Sequence, residues 1–328
     1  MKFSLVSGSA LLGVALLANA AFAQLPPDPE QSPPPPPPTD PNVAPPPPPP
    51  GSGAPDVAAA ANPKAHGPIL PNMLPTRVGA TIDVRMDYTQ FSEGSFLDGI
   101  TILGFVLHGQ YIAPENYGGY VQIPYYYASF DSGDGGNESD NGAGNIEVGG
   151  LYRLPQGANQ EILLRGGIAL DTAGQQGGFL APFSQIGPRF YDAYTTGFGA
   201  TWLRGEGSFR HNSGNLRLAA SGGIDVPVGQ GDGEDGLSIN VDALGKAAVS
   251  AGFEQPGGFG AAIGFVFMAA IGAENSDDDT AFGLNATVNF PINPSTAIYG
   301  AFGWPAIDDE NEDLDIWAVG AGVRAAVF

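Results

Sequence analysis

The chain contains no cysteine, only three histidines, and 12 Lys+Arg against 34 Asp+Glu in 328 residues, a formal net charge of −22. Without cysteine there is no disulfide framework, no thiol nucleophile and no Cys-ligated zinc or iron–sulfur site. The few histidines form no cluster for a His-rich metal site, and nothing in the sequence calls for a cofactor. Scarce basic residues exclude nucleic-acid binding by charge, because phosphate backbones are held by basic patches. Charge of either sign is also thin, 14% of residues, where an ordinary soluble domain carries roughly 25%. No apolar run reaches the roughly 20 residues of a membrane-crossing helix. What is abundant is Gly, at 49, and Pro, at 31, which disfavours a helical cytosolic enzyme.

Residues 1–23 read as a secretory signal: Lys2 is the charged start, Leu11 to Leu17 the apolar core, and Ala21-Phe22-Ala23 the small-x-small cleavage site before Gln24. No cysteine follows, which excludes a lipoprotein anchor. Residues 24–75 read as a Pro/Ala-rich disordered periplasmic linker. Within 26–50 there are 16 prolines in 25 positions. Each ring fixes φ and removes a donor, so polyproline II is enforced, and the segment reaches roughly 75 Å at about 3.1 Å per residue. It is a stiff spacer, a ligand for a Pro-binding domain, or a strut to cell-wall components. Folded structure is expected over 76–328.

From Thr76 onward the pattern alternates with a period of two, as in strands with one apolar and one polar face. In the first strand Val78, Ala80, Ile82, Val84, Met86 and Tyr88 oppose Thr81, Asp83, Arg85, Asp87 and Thr89. Similar rows recur near 146–154, 162–170, 216–226, 237–250, 259–271 and 282–290, with weaker ones at 97–113, 119–130, 196–210, 296–304 and 315–328. The fold class is therefore all-β, an antiparallel transmembrane barrel of about 12 strands (10 to 14) in 253 residues. Strands of about 9 to 15 residues are long enough to cross a bilayer at a tilt.

The connections alternate between long and short, as they do in transmembrane barrels. With the Pro-rich end in the periplasm, the outward set is 90–96, 131–143, 173–195, 229–236, 273–279 and 306–314. These hold eighteen acids, including Asp192, whereas the short inner turns hold only Glu115 and Glu254. Both termini are then periplasmic. The inward rows carry Asp83, Arg85, Asp87, Glu147, Arg153, Glu161, Arg165, Asp171, Arg204, Glu206, Arg210, Arg217, Asp225, Asp242, Lys246 and Arg324. A lipid-facing Arg or Lys at the midplane costs about 2 to 4 kcal/mol, so these sixteen are expected to line the lumen.

On these rows, on aromatics at strand ends (Tyr88, Tyr111, Tyr125, Tyr126, Tyr127, Phe209, Phe253, Phe290, Trp304) and on the closing segment 316–328, the chain resembles the porin-like outer-membrane β-barrel proteins of Gram-negative bacteria. The resemblance implies insertion by the barrel-assembly machinery, with terminal Phe328 as its signal, and contact with outer-membrane lipids and lipopolysaccharide. Phe328 departs from the pattern by falling in the same row as Arg324.

Three functions follow as expectations. The first is a narrow channel for small polar solutes or ions, since twelve strands lie between filled eight-stranded barrels and open sixteen-stranded porins. Opposed charges on single strands, such as Asp83/Arg85/Asp87, would then orient the solute; the same charges also suit a closed ion-pair network. The loop at 173–195, with Arg189, is either an inward constriction or a surface lid. The second is a closed surface barrel tied to the periplasm by its arm, with Asp277, Asp278, Asp279, Asp308, Asp309 and Glu310 as oxygen ligands for a divalent cation. The third is a lipid hydrolase on His211, Ser213 and Asp225. A tight turn at the periplasmic end argues against it, and no enzyme is expected.

Overall fold

The computed structural model describes residues 68–91, 99–131, 137–173, 181–187, 189–197, 200–230, 241–255, 258–272, 280–307 and 314–327. The secretory signal, residues 24–67 of the arm, the acidic clusters at 277–279 and 308–310, and Phe328 lie outside these residues.

The described residues form thirteen strands: β1 (Gly79–Phe91), β2 (Ile100–Ile112), β3 (Tyr117–Asp131), β4 (Asn137–Ala143), β5 (Ile146–Pro155), β6 (Gln160–Leu170), β7 (Ala200–Ser213), β8 (Leu216–Gln230), β9 (Ala243–Glu254), β10 (Gly260–Ile271), β11 (Thr280–Asn293), β12 (Thr296–Ile307) and β13 (Leu314–Ala326). All pairings are antiparallel, and β1 closes the ring on β13 from Thr81↔Ala326 to Phe91↔Ile316. The first half of β3 pairs with β5 and the second half with β4, whose described pairing is with β3 alone. The closed barrel therefore has twelve members, and the β3–β4 hairpin prolongs it at one end. Strand direction defines two ends: short turns at the end where β1 begins, the turn end, and longer connections at the other, the loop end.

Alternation sorts the side chains by face. Ile82, Val84 and Met86 of β1, Phe105 and Leu107 of β2, and Ile263 and Phe265 of β10 point outward and are exposed. In a bilayer this belt meets hydrocarbon, and closure leaves no unpaired edge in the ring for lipid to meet. The intervening residues point inward and are buried.

Several sequence expectations need correction. Residues 137–143 form β4 instead of lying in a loop, because the strand is templated by register with β3 and not by its own Asn/Asp/Ser-rich composition. β9 starts at Ala243, so Val241 and Asp242 do not belong to it, residues 237–240 lie outside the described residues, and β9 extends to Glu254, which faces inward at 3% exposure and is no turn residue. Tyr126 is not a rim aromatic but is buried inward, its hydroxyl donating to Asp140 Oδ2 at 3.1 Å. The folded part begins before Thr76, since residues 68–75 are packed inside the barrel. Ile69, Leu70, Met73 and Leu74 carry enough apolar surface to be drawn in.

Candidate functional site: a doubly plugged lumen

The barrel wall has two unlike halves. Facing inward on β9 to β13 are mostly small residues: Ala248, Ser250 and Gly252; Ala262 and Gly264; Ala281 and Gly283; Ala301 and Gly303; Ala318 and Gly320. Facing inward on β1 and β5 to β8 are most of the charges. Small side chains cannot fill a twelve-stranded lumen, and two inserted segments do so instead.

The first is a strap, residues 68–76, which enters at the turn end beside β9 to β11, climbs to mid-barrel, turns at Asn72 and returns to the start of β1. Asn72 adopts φ 60, the left-handed conformation that Asn tolerates best among residues with a side chain. Its carboxamide donates to Asn285 Oδ1 at 3.0 Å and accepts from the Tyr191 backbone N–H at 3.1 Å. Strap carbonyls accept from the wall: Pro71 from Ser250 at 2.8 Å, Pro75 from Gln110 at 2.7 Å, Ile69 from Thr287 and Leu74 from Arg210. Ile69, Leu70, Met73 and Leu74 are all buried. At about 1.5 to 3 kcal/mol each, their burial contributes about 6 to 12 kcal/mol. Ordering the six non-proline residues at about 1 to 2 kcal/mol each costs the same amount. The strap is therefore held by a small surplus, supplied by hydrogen bonds.

The second is the long β6–β7 connection. Residues 181–187 and 189–197 descend from the loop end through three short 3-10 turns, Pro182–Gln185, Phe190–Asp192 and Tyr194–Thr196. They fold into the lumen as a constriction and not as a surface lid. Phe190, Tyr191 and Ile186 join Leu70, Met73, Val266 and Met268 in one apolar cluster. The wall must be bare where the loop backbone presses on it. A Cβ at Gly104 would meet the Ser184 carbonyl oxygen at 2.5 Å, and one at Gly303 would collide with the Ile186 carbonyl.

Asp192, at the loop's deepest part, is fully buried and was wrongly counted among the outward acids. It meets Arg204 Nη1 at 2.5 Å, Arg165 Nη1 at 3.4 Å, and the guanidinium of Arg189 from its own loop. Arg165 also binds Glu147 at 2.8 Å and Glu206 at 3.2 Å; Arg204 also binds Glu147 at 3.0 Å and Asp225 at 3.1 Å. Lys246 pairs with Asp225 and lies over the Tyr191 ring, 4.4 Å from its centroid. The wall thus supplies three cations (Arg165, Arg204, Lys246) and three acids (Glu147, Glu206, Asp225), and the loop adds one ion pair of its own.

A second group on β1 joins Asp83 to Arg324 and the Tyr299 hydroxyl, at 2.6 Å each, and Arg85 to Asp87 at 2.5 Å and Gln185 at 3.0 Å. At the turn end Arg153 meets Glu161 at 3.0 Å, with Thr76 donating to the same carboxylate, and Arg217 meets Glu254 at 3.4 Å. Between strap, wall and loop remains a space of about 20 Å³, bordered by Leu70, Asp83, Arg85, His108, Arg189 and Arg324. That is room for about one water molecule.

Of the sixteen charges assigned to the lumen, fourteen point inward, with Arg153, Arg210, Arg217 and Arg324 half-buried toward the turn end. Asp171 and Asp242 do not: both are exposed just beyond strand ends, where alternation no longer dictates a face. His211 and Ser213 lie on the last residues of β7, while Asp225 pairs across from Arg204, seven rungs up the same ladder. At about 3.3 Å per rung the separation is about 23 Å, so the three are not brought together. Sequence reasoning missed Asp192, Glu254 and Asn72. The available signal for the strap was the apolar segment Ile69-Leu70-Pro71-Asn72-Met73-Leu74 within a stretch otherwise rich in Ala and Pro.

No protein-family model and no curated protein matches the chain. Solved structures do. An outer-membrane channel from Pseudomonas putida F1 superposes with a TM-score of 0.55 at 15% identity, covering 77% of this chain and 97% of that one. The NanC porin superposes with a TM-score of 0.51 at 9% identity, covering 75% of this chain and 100% of that one. At these identities the likeness is one of fold.

Proposed function

Starting from a chain that folds as an outer-membrane β-barrel, we propose that it is a gated narrow channel for small polar solutes, closed in this conformation by the strap and the inward loop. The observation that carries this reading is the composition of the wall. Small sealed barrels fill their interior with their own strand side chains, whereas β9 to β13 present mostly Gly, Ala and Ser inward and leave much of the filling to two non-strand segments. The strap can withdraw at modest cost, and the loop gives up the burial of Ile186, Phe190 and Tyr191 but no unpaired charge. The strap is near energetic balance, and the loop brings its own ion pair, so its departure leaves no unpaired charge among Arg165, Arg204, Lys246 and their carboxylates. The turn end faces the periplasm in this reading, which makes the strap the continuation of the Pro-rich arm.

The test exploits the absence of cysteine. A Cβ at Gly264 would stand 3.0 Å from Pro71 Cβ, within a small shift of the roughly 3.5 to 4.5 Å of a disulfide. The full-length chain with Pro71→Cys and Gly264→Cys is placed in a planar bilayer. Openings in the reduced form that vanish on oxidation are expected. Equal currents in both forms remove the strap from the gate. The competing reading, a sealed barrel serving only to anchor the arm, draws on the ion-pair network that spans the lumen and predicts no current in either form.

A further inference from the structure

We propose that the solute class admitted by this lumen is the small zwitterion, a molecule carrying a carboxylate and a cationic nitrogen side by side, and that Arg189 and Asp192 are its built-in stand-in. The proposal rests on the channel reading above and adds selectivity to it.

The argument starts from what the loop leaves behind when it withdraws. Arg165 and Arg204 each keep two wall carboxylates, and Lys246 keeps Asp225, so the wall by itself is balanced at three cations and three acids. Arg165 Nη1 and Arg204 Nη1 nevertheless lose the acceptor that Asp192 gave them, at 3.4 and 2.5 Å. A carboxylate restores that acceptor. A lone carboxylate, however, brings an uncompensated net charge into a narrow ring of wall charges that is already neutral. A neutral amide or polyol brings no net charge, but offers those guanidinium donors a weaker acceptor than an ion. A lone cation brings charge and no acceptor at all.

The loop meets both demands by carrying Arg189 with Asp192. The two side chains are in direct contact and both are buried, at 11% and 0% exposure. Arg189 borders the residual space with Asp83, His108 and Gln122, and its Nε has no hydrogen-bond partner among the described residues. The place Arg189 occupies thus borders the wall's Asp83 carboxylate and Gln122, whose Oε1 has no hydrogen-bond partner among the described residues and can accept from a ligand's cation. Because guanidinium and carboxylate touch, the solute they imitate has its charges adjacent, as in an α-amino acid.

Proteoliposomes holding the full-length protein test this by swelling in isosmotic solutes of similar size: glycine, its uncharged isomer glycolamide, sodium acetate and methylammonium chloride. Glycine is expected to enter about tenfold faster than glycolamide, the value of one charge-assisted hydrogen bond of ~1.4 kcal/mol, and faster than either salt. The advantage of glycine should disappear in the charge-balanced variant Arg204→Gln with Asp225→Asn, while glycolamide entry persists. Equal entry of glycine and glycolamide, or faster entry of acetate, overturns the selectivity and leaves the channel standing. Entry of no solute, together with no bilayer current, overturns both.

Discussion

Asp192→Asn is the perturbation that most directly probes the proposed gate. In the closed state the Asp192 carboxylate lies within contact of Arg165, Arg189 and Arg204, and none of the four side chains is more than 11% exposed. Removing one partner of a buried ion pair costs about 3 to 5 kcal/mol. The wall arginines are buffered by Glu147, Glu206 and Asp225, so the loss falls mainly on Arg189 and the low end applies. The barrel does not have to bear that cost, because withdrawing the loop carries Arg189 to water. The substitution should therefore raise the open-to-closed ratio by about a hundredfold for 3 kcal/mol, with little change in the unfolding of the strands. Single-channel recording supplies the ratio, and strand circular dichroism against temperature supplies the unfolding. The pair Arg189→Gln with Asp192→Asn restores neutrality and should recover much of the closed state, with a coupling of about 1 to 3 kcal/mol between the two sites. If the single variant changes the ratio less than twofold, or the single and double variants behave alike, the electroneutral-loop argument fails.

Two further expectations probe the wall. Gly303→Val places a side chain where the Ile186 carbonyl sits; the loop should fail to seat, and conductance should rise while the barrel melts as before. A barrel that melts much earlier with no gain in conductance would mean that the loop is part of the folding core. Val84→Arg puts a charge on the exposed face at the middle of β1; urea unfolding from lipid vesicles should show a loss of about 2 to 4 kcal/mol. No loss would contradict the assignment of that face to hydrocarbon.

How much was legible in advance differs between wall and contents. In β1 the row Ile82, Val84, Met86 and the row Asp83, Arg85, Asp87 separate by parity alone, because successive strand side chains point to opposite faces. The same reasoning reached Glu147, Arg165, Arg204, Asp225 and Lys246, all of them buried inward. It failed at Asp171 and Asp242, one or two residues past the paired ladder, and at β4, where Asn-Glu-Ser-Asp-Asn-Gly-Ala has no alternation to read.

The chain's order of apolar and polar residues was sufficient to indicate an antiparallel barrel of about twelve strands and which rows face outward. Those properties depend on local periodicity and on the cost of exposing backbone or charge to hydrocarbon. Only the tertiary structure decided that the lumen is filled, and by what. The meeting of Asp192 with Arg165 and Arg204, or of Asn72 with Asn285, joins segments up to 213 residues apart. Neither meeting has a period in sequence. Each exists because one half of the wall is small enough to admit a loop and a strap whose apolar and charged groups find partners there.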